Sequence, residues 1–203
     1  MNSLPGVHVA TIADQYHCPR EVIDTSQAFQ GAVVNVRLDD VKLTPTSQPV
    51  RRDVVEHPGA VAVLAVNDAD EVAFVRQYRH PVGAELWEIP AGLLDQEGED
   101  PAVCARRELA EEVDLTCESL TPLLNVALSA GGSTERIHIY LARGLSPCAQ
   151  TFTREAEEAE FELTWVPRHA AIRAARAGKI TSAATVLALL VSALDDTTRQ
   201  SPR

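Results

Sequence analysis

The chain is short of positive charge: 18 Lys and Arg stand against 29 Asp and Glu among 203 residues, a net charge of -11. That balance excludes broad binding to nucleic acid or to anionic membranes through phosphate neutralisation and leaves room only for a local basic pocket. The four cysteines, Cys18, Cys104, Cys117 and Cys148, include no Cys-x-x-Cys pair, and the stretch through Arg20 has no apolar core of the kind a secretory leader carries. Reduced thiols in a cytoplasm are the expectation. The longest apolar run, Ile180 to Leu194, is interrupted by Thr181, Ser182, Thr185 and Ser192. It falls short of the roughly 20 residues that a bilayer-spanning helix needs and reads as a packed helix. Internal repeats are absent, and so are a Ser, His and Asp constellation and a glycine-rich phosphate loop.

What is present is ordinary globular material, with 45% apolar and 23% charged residues in a length that suits one core. Gly31 to Leu43 and Val50 to His57, separated by the turn Pro45 to Pro49, form a hairpin candidate. Ala60 to Val66 and Glu71 to Tyr78 flank a turn at Asn67 to Asp70, and Leu86 to Pro90 is a short strand. Asp100 has the character of an N-cap, with Pro101 at the first helical position of a helix to Val113 that buries Ala102, Ala105, Leu109 and Val113. Strands follow at Leu120 to Leu128, Arg136 to Ala142 and Phe161 to Val166. Helical territory runs from Ala170 to Leu194 with a break at Gly178, and both termini are polar. Hairpins require antiparallel pairs, so the pattern predicts a mixed-sheet α+β or layered α/β/α domain rather than a doubly wound one.

The chemistry concentrates between Gly92 and Leu115, GLLDQEGEDPAVCARRELAEEVDL. Glu108 and Glu112 lie about 40° apart on a helix surface, with Glu111 beside them. Like charges so placed repel, by roughly a few tenths of a kcal/mol per exposed pair, unless a cation sits over them. Helix spacing alone leaves two readings: a solvated acidic face paired with Arg106 and Arg107, or an oxygen-rich site for a hard divalent cation such as Mg²⁺.

Gly92, Glu99 and the run Arg107-Glu108-Leu109-Ala110-Glu111-Glu112-Val113-Asp114-Leu115 resemble the Nudix box, the loop-helix-loop signature of the Nudix hydrolases. Two departures are visible. Six residues separate Gly92 from Glu99 where the common pattern has five, and Asp114 occupies the usual glycine position, where it needs a left-handed C-cap. The resemblance implies a Nudix α/β/α sandwich with Mg²⁺ as cofactor and Mn²⁺ as a substitute. It also implies Glu108, Glu111, Glu112 and the Ala91 carbonyl as metal ligands, with Arg107 orienting the carboxylates.

Beyond the box, Val54-Val55-Glu56-His57, Arg76-Gln77-Tyr78-Arg79-His80, Leu86-Trp87-Glu88-Ile89-Pro90-Ala91-Gly92 and Ser129 to Arg136 look like the ADP-ribose pyrophosphatase branch of that family. The resemblance implies hydrolysis of ADP-ribose to AMP and ribose 5-phosphate. It assigns Arg52 and Arg79 to the phosphates and Glu135 to a ribose hydroxyl. Ala130 stands where that branch commonly has proline, which keeps GDP-mannose or another nucleoside diphosphate sugar open as the substrate. A non-catalytic regulatory Nudix domain is disfavoured by the intact box glutamates. In the acidic run Glu155 to Glu160, Glu158 matches the glutamate that positions or deprotonates the attacking water, with Glu157 and Glu160 as alternative registers. His57 and His80 are structural or substrate-side, and Trp87 is a core residue rather than a base-stacking platform. By the same analogy residues 1–57 form a β-region exchanged across a homodimer, 58–195 the catalytic domain and 196–203 a disordered tail.

Overall fold

The computed structural model describes residues 7, 9–149 and 162–199. In chain order the strands are β1 (Glu21–Gln30), β2 (Asn35–Lys42), β3 (Val50–Glu56), β4 (Ala60–Ala65) and β5 (Glu71–Arg79). They continue as β6 (Ala84–Glu88), β7 (Ala91–Leu93), β8 (Leu115–Ala127), β9 (Arg136–Pro147) and β10 (Thr164–Pro167). The helices are α1 (Pro101–Val113), α2 (Arg168–Arg176) and α3 (Ala183–Arg199).

The central sheet has the order β7-β4-β9-β8, in which β4 and β9 are parallel and the other neighbours antiparallel. β4 is covered on both faces, which is why its sequence is an unbroken apolar run. Ala62 and Leu64 enter one core with Ile137, Ile139, Ala188 and Leu189, on the side of α2 and α3. Val61, Val63 and Ala65 enter a second core with Ala105, Leu109 and Val113 of α1. Each fully buried Leu, Ile or Val contributes about 1.5–3 kcal/mol, so the two layers hold the sheet between them. This is the α/β/α arrangement of an α+β domain that the sequence pattern predicts. Among the described residues no helix is long and apolar enough to cross a membrane.

Several elements differ from expectation: β7 is an added strand, β8 begins at Leu115 and β9 runs on to Pro147. The turn after β4 is tight: the Asn67 side chain accepts the N–H groups of Ala69 and Glu71, and Asp70 adopts a positive φ of 58°. Yet β4 and β5 share only the Val66–Val72 bridge before they separate. β9 takes one edge of β4 along its length, β7 and the Pro90 carbonyl take the other as far as Val63, and β5 turns away into a second sheet, β10-β5-β6. At the N-terminus the hairpin is the inner part of a three-stranded sheet, β1-β2-β3. All ten residues of β1 are exposed, so no apolar alternation in the sequence marks it as a strand. Finally, α3 continues to Arg199, past Leu194.

Helix α1 starts and stops as its sequence requires. The Asp100 side chain accepts from the Ala102 N–H (2.8 Å) ahead of Pro101. Asp114 takes the left-handed conformation (φ 54°, ψ 37°) and its N–H caps the carbonyls of Leu109 and Ala110. Gly178, at φ 68°, separates α2 from α3.

Candidate functional site

The face of α1 that carries the acidic residues is turned inward. Glu108 and Glu112 are 8% and 6% exposed, so the reading of a solvated face is corrected. Two devices hold them. The Ala91 N–H donates to Glu112 Oε2 at 2.9 Å. Gly92 leaves the room that Glu108 fills, since a Cβ there would lie 2.0 Å from the Glu108 carboxyl carbon. A glycine at this position is therefore a consequence of the carboxylate packed against it.

Arg107 is the hub. Its Nε and Nη2 donate to the two oxygens of Glu99 (3.1 and 3.0 Å), and its Nη1 donates to Glu108 (2.7 Å) and Glu111 (2.9 Å). These bonds, those to Glu99 first, raise the arginine's pKa further above its ordinary value, and Arg107 in turn holds Glu99 below the usual carboxylate range. Cys104 lies beneath, accepting from Arg107 Nη2 at 3.3 Å, and burial pushes its thiol up to about 12. Arg106 takes no part: its Nη1 donates to the carbonyl and sulfur of Cys117, at 2.9 and 3.1 Å. Among the described residues no three His, Cys, Asp or Glu side chains converge as a ready-made ion cage, and Arg107 and the Ala91 N–H bond oxygens of Glu108, Glu111 and Glu112. The donor set itself, buried carboxylate oxygen on a rigid helix, suits a hard divalent cation.

Ala91 and Gly92 also line a cleft of about 330 Å³. Arg79, Glu88 and Glu135 stand on its walls together with His57 and Ser182, which precedes α3. Of the residues expected to meet substrate, Arg79 and Glu135 are thus gathered beside the box. Arg52 is not: it lies on exposed β3 and its Nη1 donates to the Arg51 carbonyl (2.8 Å). Glu157, Glu158 and Glu160 fall outside the described residues. Trp87 is 38% exposed and meets Phe74 edge-on at 6.5 Å beside a separate apolar hollow, so it is less buried than a core residue. Glu88 is the residue that sequence inspection passes over. It is 7% exposed and accepts from Arg79 Nε (3.2 Å) and Nη2 (2.7 Å). The signal was present, since a carboxylate inside Leu-Trp-Glu-Ile-Pro must find a cation if that strand is buried.

Residues 56–189 match the model of the NUDIX domain. The chain belongs to the Nudix family. The matched Nudix segment begins as β3 ends and includes the box, the cleft and the first turns of α3. A methanol dehydrogenase activator of Bacillus methanolicus is 47% identical over 126 residues, 62% of this chain and 67% of that one. An ADP-ribose pyrophosphatase of Mycobacterium tuberculosis is 38% identical over 170 residues, 84% of this chain and 81% of that one. Among solved structures an ADP compounds hydrolase superposes with a TM-score of 0.73 at 19% identity, covering 92% of this chain and 99% of that chain, a likeness that speaks for the Nudix fold.

Proposed function

We propose that the protein is a Mg²⁺-dependent pyrophosphohydrolase that converts ADP-ribose and water to AMP and ribose 5-phosphate, with Mn²⁺ able to replace Mg²⁺. The observation that carries this reading is one wall, Ala91–Gly92, shared by two features: the buried pair Glu108 and Glu112, and the cleft that holds Arg79 and Glu135. A diphosphate between two riboses needs hard-cation ligands and a separate phosphate-binding cation, and the shared wall supports a single substrate meeting both. The likeness to the mycobacterial ADP-ribose pyrophosphatase over most of both chains supports that substrate.

In this reading Glu108, Glu111, Glu112 and the Ala91 carbonyl hold the metal. When bound, it neutralises the charge that develops on the diphosphate. Arg107 fixes the rotamers of Glu108 and Glu111 and stays off the substrate, a role that its bonds to Glu99 support. Arg79 binds phosphate and Glu135 accepts from a ribose hydroxyl. Water adds to one phosphorus, the bridging oxygen leaves with the other phosphate, and Glu158 takes or directs the proton of the attacking water. No enzyme-bound covalent intermediate forms.

We further propose a homodimer built on the β1-β2-β3 sheet, in which Arg52 serves the partner's substrate. The exposed Val22, Ile23 and Phe29 support it, because large apolar side chains left in solvent on an outer strand favour an interface. Four free thiols fit a reducing cytoplasm. Assay of ADP-ribose, GDP-mannose and ADP-glucose with Mg²⁺ tests the substrate. AMP and ribose 5-phosphate as the fastest-formed products support the reading, and preferential release of GMP from GDP-mannose overturns it.

A further inference from the structure

The strip Glu88 to Gly92 ties the cleft to three rigid elements in succession. Glu88 receives Arg79 in two hydrogen bonds, 3.2 and 2.7 Å. Next, the Ile89 N–H donates to the buried Thr185 hydroxyl of α3 (3.2 Å). The Pro90 carbonyl accepts from the Val63 N–H of β4 (2.8 Å), and the Ala91 N–H donates to Glu112 of α1 (2.9 Å). The backbone that carries Glu88 is therefore the same anchored backbone that meets the box carboxylates.

Arg79 is the last residue of β5, ahead of the short turn His80–Val82. An arginine at such a place samples many rotamers and loses that freedom on binding a phosphate. Here the loss has already been taken, because a two-point contact sets both the position and the plane of the guanidinium. The pair divides unevenly between interior and cleft: the Glu88 side chain is 10% exposed and that of Arg79 is 39% exposed. The nearly buried carboxylate needs a cationic partner, and the one it takes is the arginine that reaches into the cleft.

We infer that Glu88 is a positioning residue for the phosphate-binding step: it holds the Arg79 guanidinium at a set distance from the Ala91–Gly92 wall. One end of a diphosphate then meets Arg79 while the other end is held at α1. This rests on the nucleoside diphosphate sugar reading above. It also makes a prediction of unusual sign. By Coulomb's law alone, removing a negative charge from a cleft for an anionic substrate lowers KM. Loss of an oriented arginine raises it.

The test is a double-mutant cycle on ADP-ribose hydrolysis with Mg²⁺, using Glu88→Gln, Arg79→Ala and the pair. Glu88→Gln should raise KM roughly tenfold, with kcat within about threefold and the melting temperature little changed. Added to Arg79→Ala it should change nothing further, since a residue acting through Arg79 has nothing left to position. Glu88→Asp keeps the charge but shortens the reach, and should raise KM less; it carries the same test if the amide variant folds poorly. An unchanged or lowered KM in both Glu88 variants, or effects that multiply in the double mutant, overturns the inference. A wild-type protein inert toward ADP-ribose overturns the reading of function instead, an outcome distinguishable from the first.

Discussion

Gly92 shows how one residue's smallness is set by another's chemistry. Its own backbone makes no demand for glycine; the demand comes from the Glu108 carboxylate, which occupies the position of the missing side chain. Gly92→Ala therefore forces that carboxylate to swing away, and displacements of about 1 Å at a reacting centre can cost 10²-fold. The expected result is a fall in turnover of about that size, with a loss of about 1–3 kcal/mol in stability from overpacking. Steady-state kinetics and thermal melting read the two separately. Turnover within twofold of wild type would show that the carboxylate is not needed where it sits. Arg107 is the counterpart: its five bonds to Glu99, Glu108, Glu111 and Cys104 explain how Glu108 and Glu111 of the helix sit beside Glu99 before any cation arrives.

Among the elements, the β1-β2-β3 sheet depends most on charge. Arg37 bonds both Asp39 and Glu56, Thr25 donates to Asp39, and Arg51 bonds Asp40. The hydrogen bond from Arg37 holds Asp39 below the usual carboxylate range. A carboxylate with a lowered folded-state pKa gives stability that is fully present above its unfolded value, near 3.8, and is lost as pH falls through the folded value. Asp39→Asn should thus lower the urea midpoint at pH 7 and converge with wild type in acid below that window. A difference that persists unchanged there would contradict it.

The same sheet marks the limit of what could be read in advance. Helix α1, its Asp100 cap and its left-handed Asp114 were legible because capping is local chemistry written in adjacent residues. β4 was legible because burial on both faces leaves only apolar residues. β1 was not, since all its residues face solvent, nor was the early parting of β4 and β5, since the neighbours of β4 in its sheet, β7 and β9, lie further along the chain. At the site, the box carboxylates and Arg79 could be named from spacing and resemblance. The Glu88 contact could not, because it joins residues whose strands pair at other positions: Glu88 lies opposite Val75, and Arg79 opposite Ala84.

For the whole molecule, two layers of helix around one sheet make a rigid wall, while the N-terminal sheet reaches the rest through a narrow seam. The Val55 N–H donates to the Gly132 carbonyl (2.8 Å), the Thr134 N–H to the Val55 carbonyl (2.9 Å), and the His57 N–H to the Thr134 hydroxyl (3.0 Å). A sheet so lightly attached, with Phe29 and Val22 exposed, should gain a partner surface. Light scattering at assay concentration is expected to give twice the chain mass, and a fully active monomer would remove the role proposed for Arg52.

The central claim is that Glu108 and Glu112 hold the divalent cation on which diphosphate hydrolysis depends. Gln in place of Glu112 keeps the acceptor for the Ala91 N–H and the shape of the side chain, but replaces a hard anionic ligand with a neutral amide. The most direct measurement is the turnover of ADP-ribose by Glu112→Gln across a Mg²⁺ titration, with circular dichroism confirming an unchanged fold. The account predicts a loss of at least about 10²-fold that saturating Mg²⁺ does not restore. Near-normal turnover at saturating Mg²⁺ would contradict it.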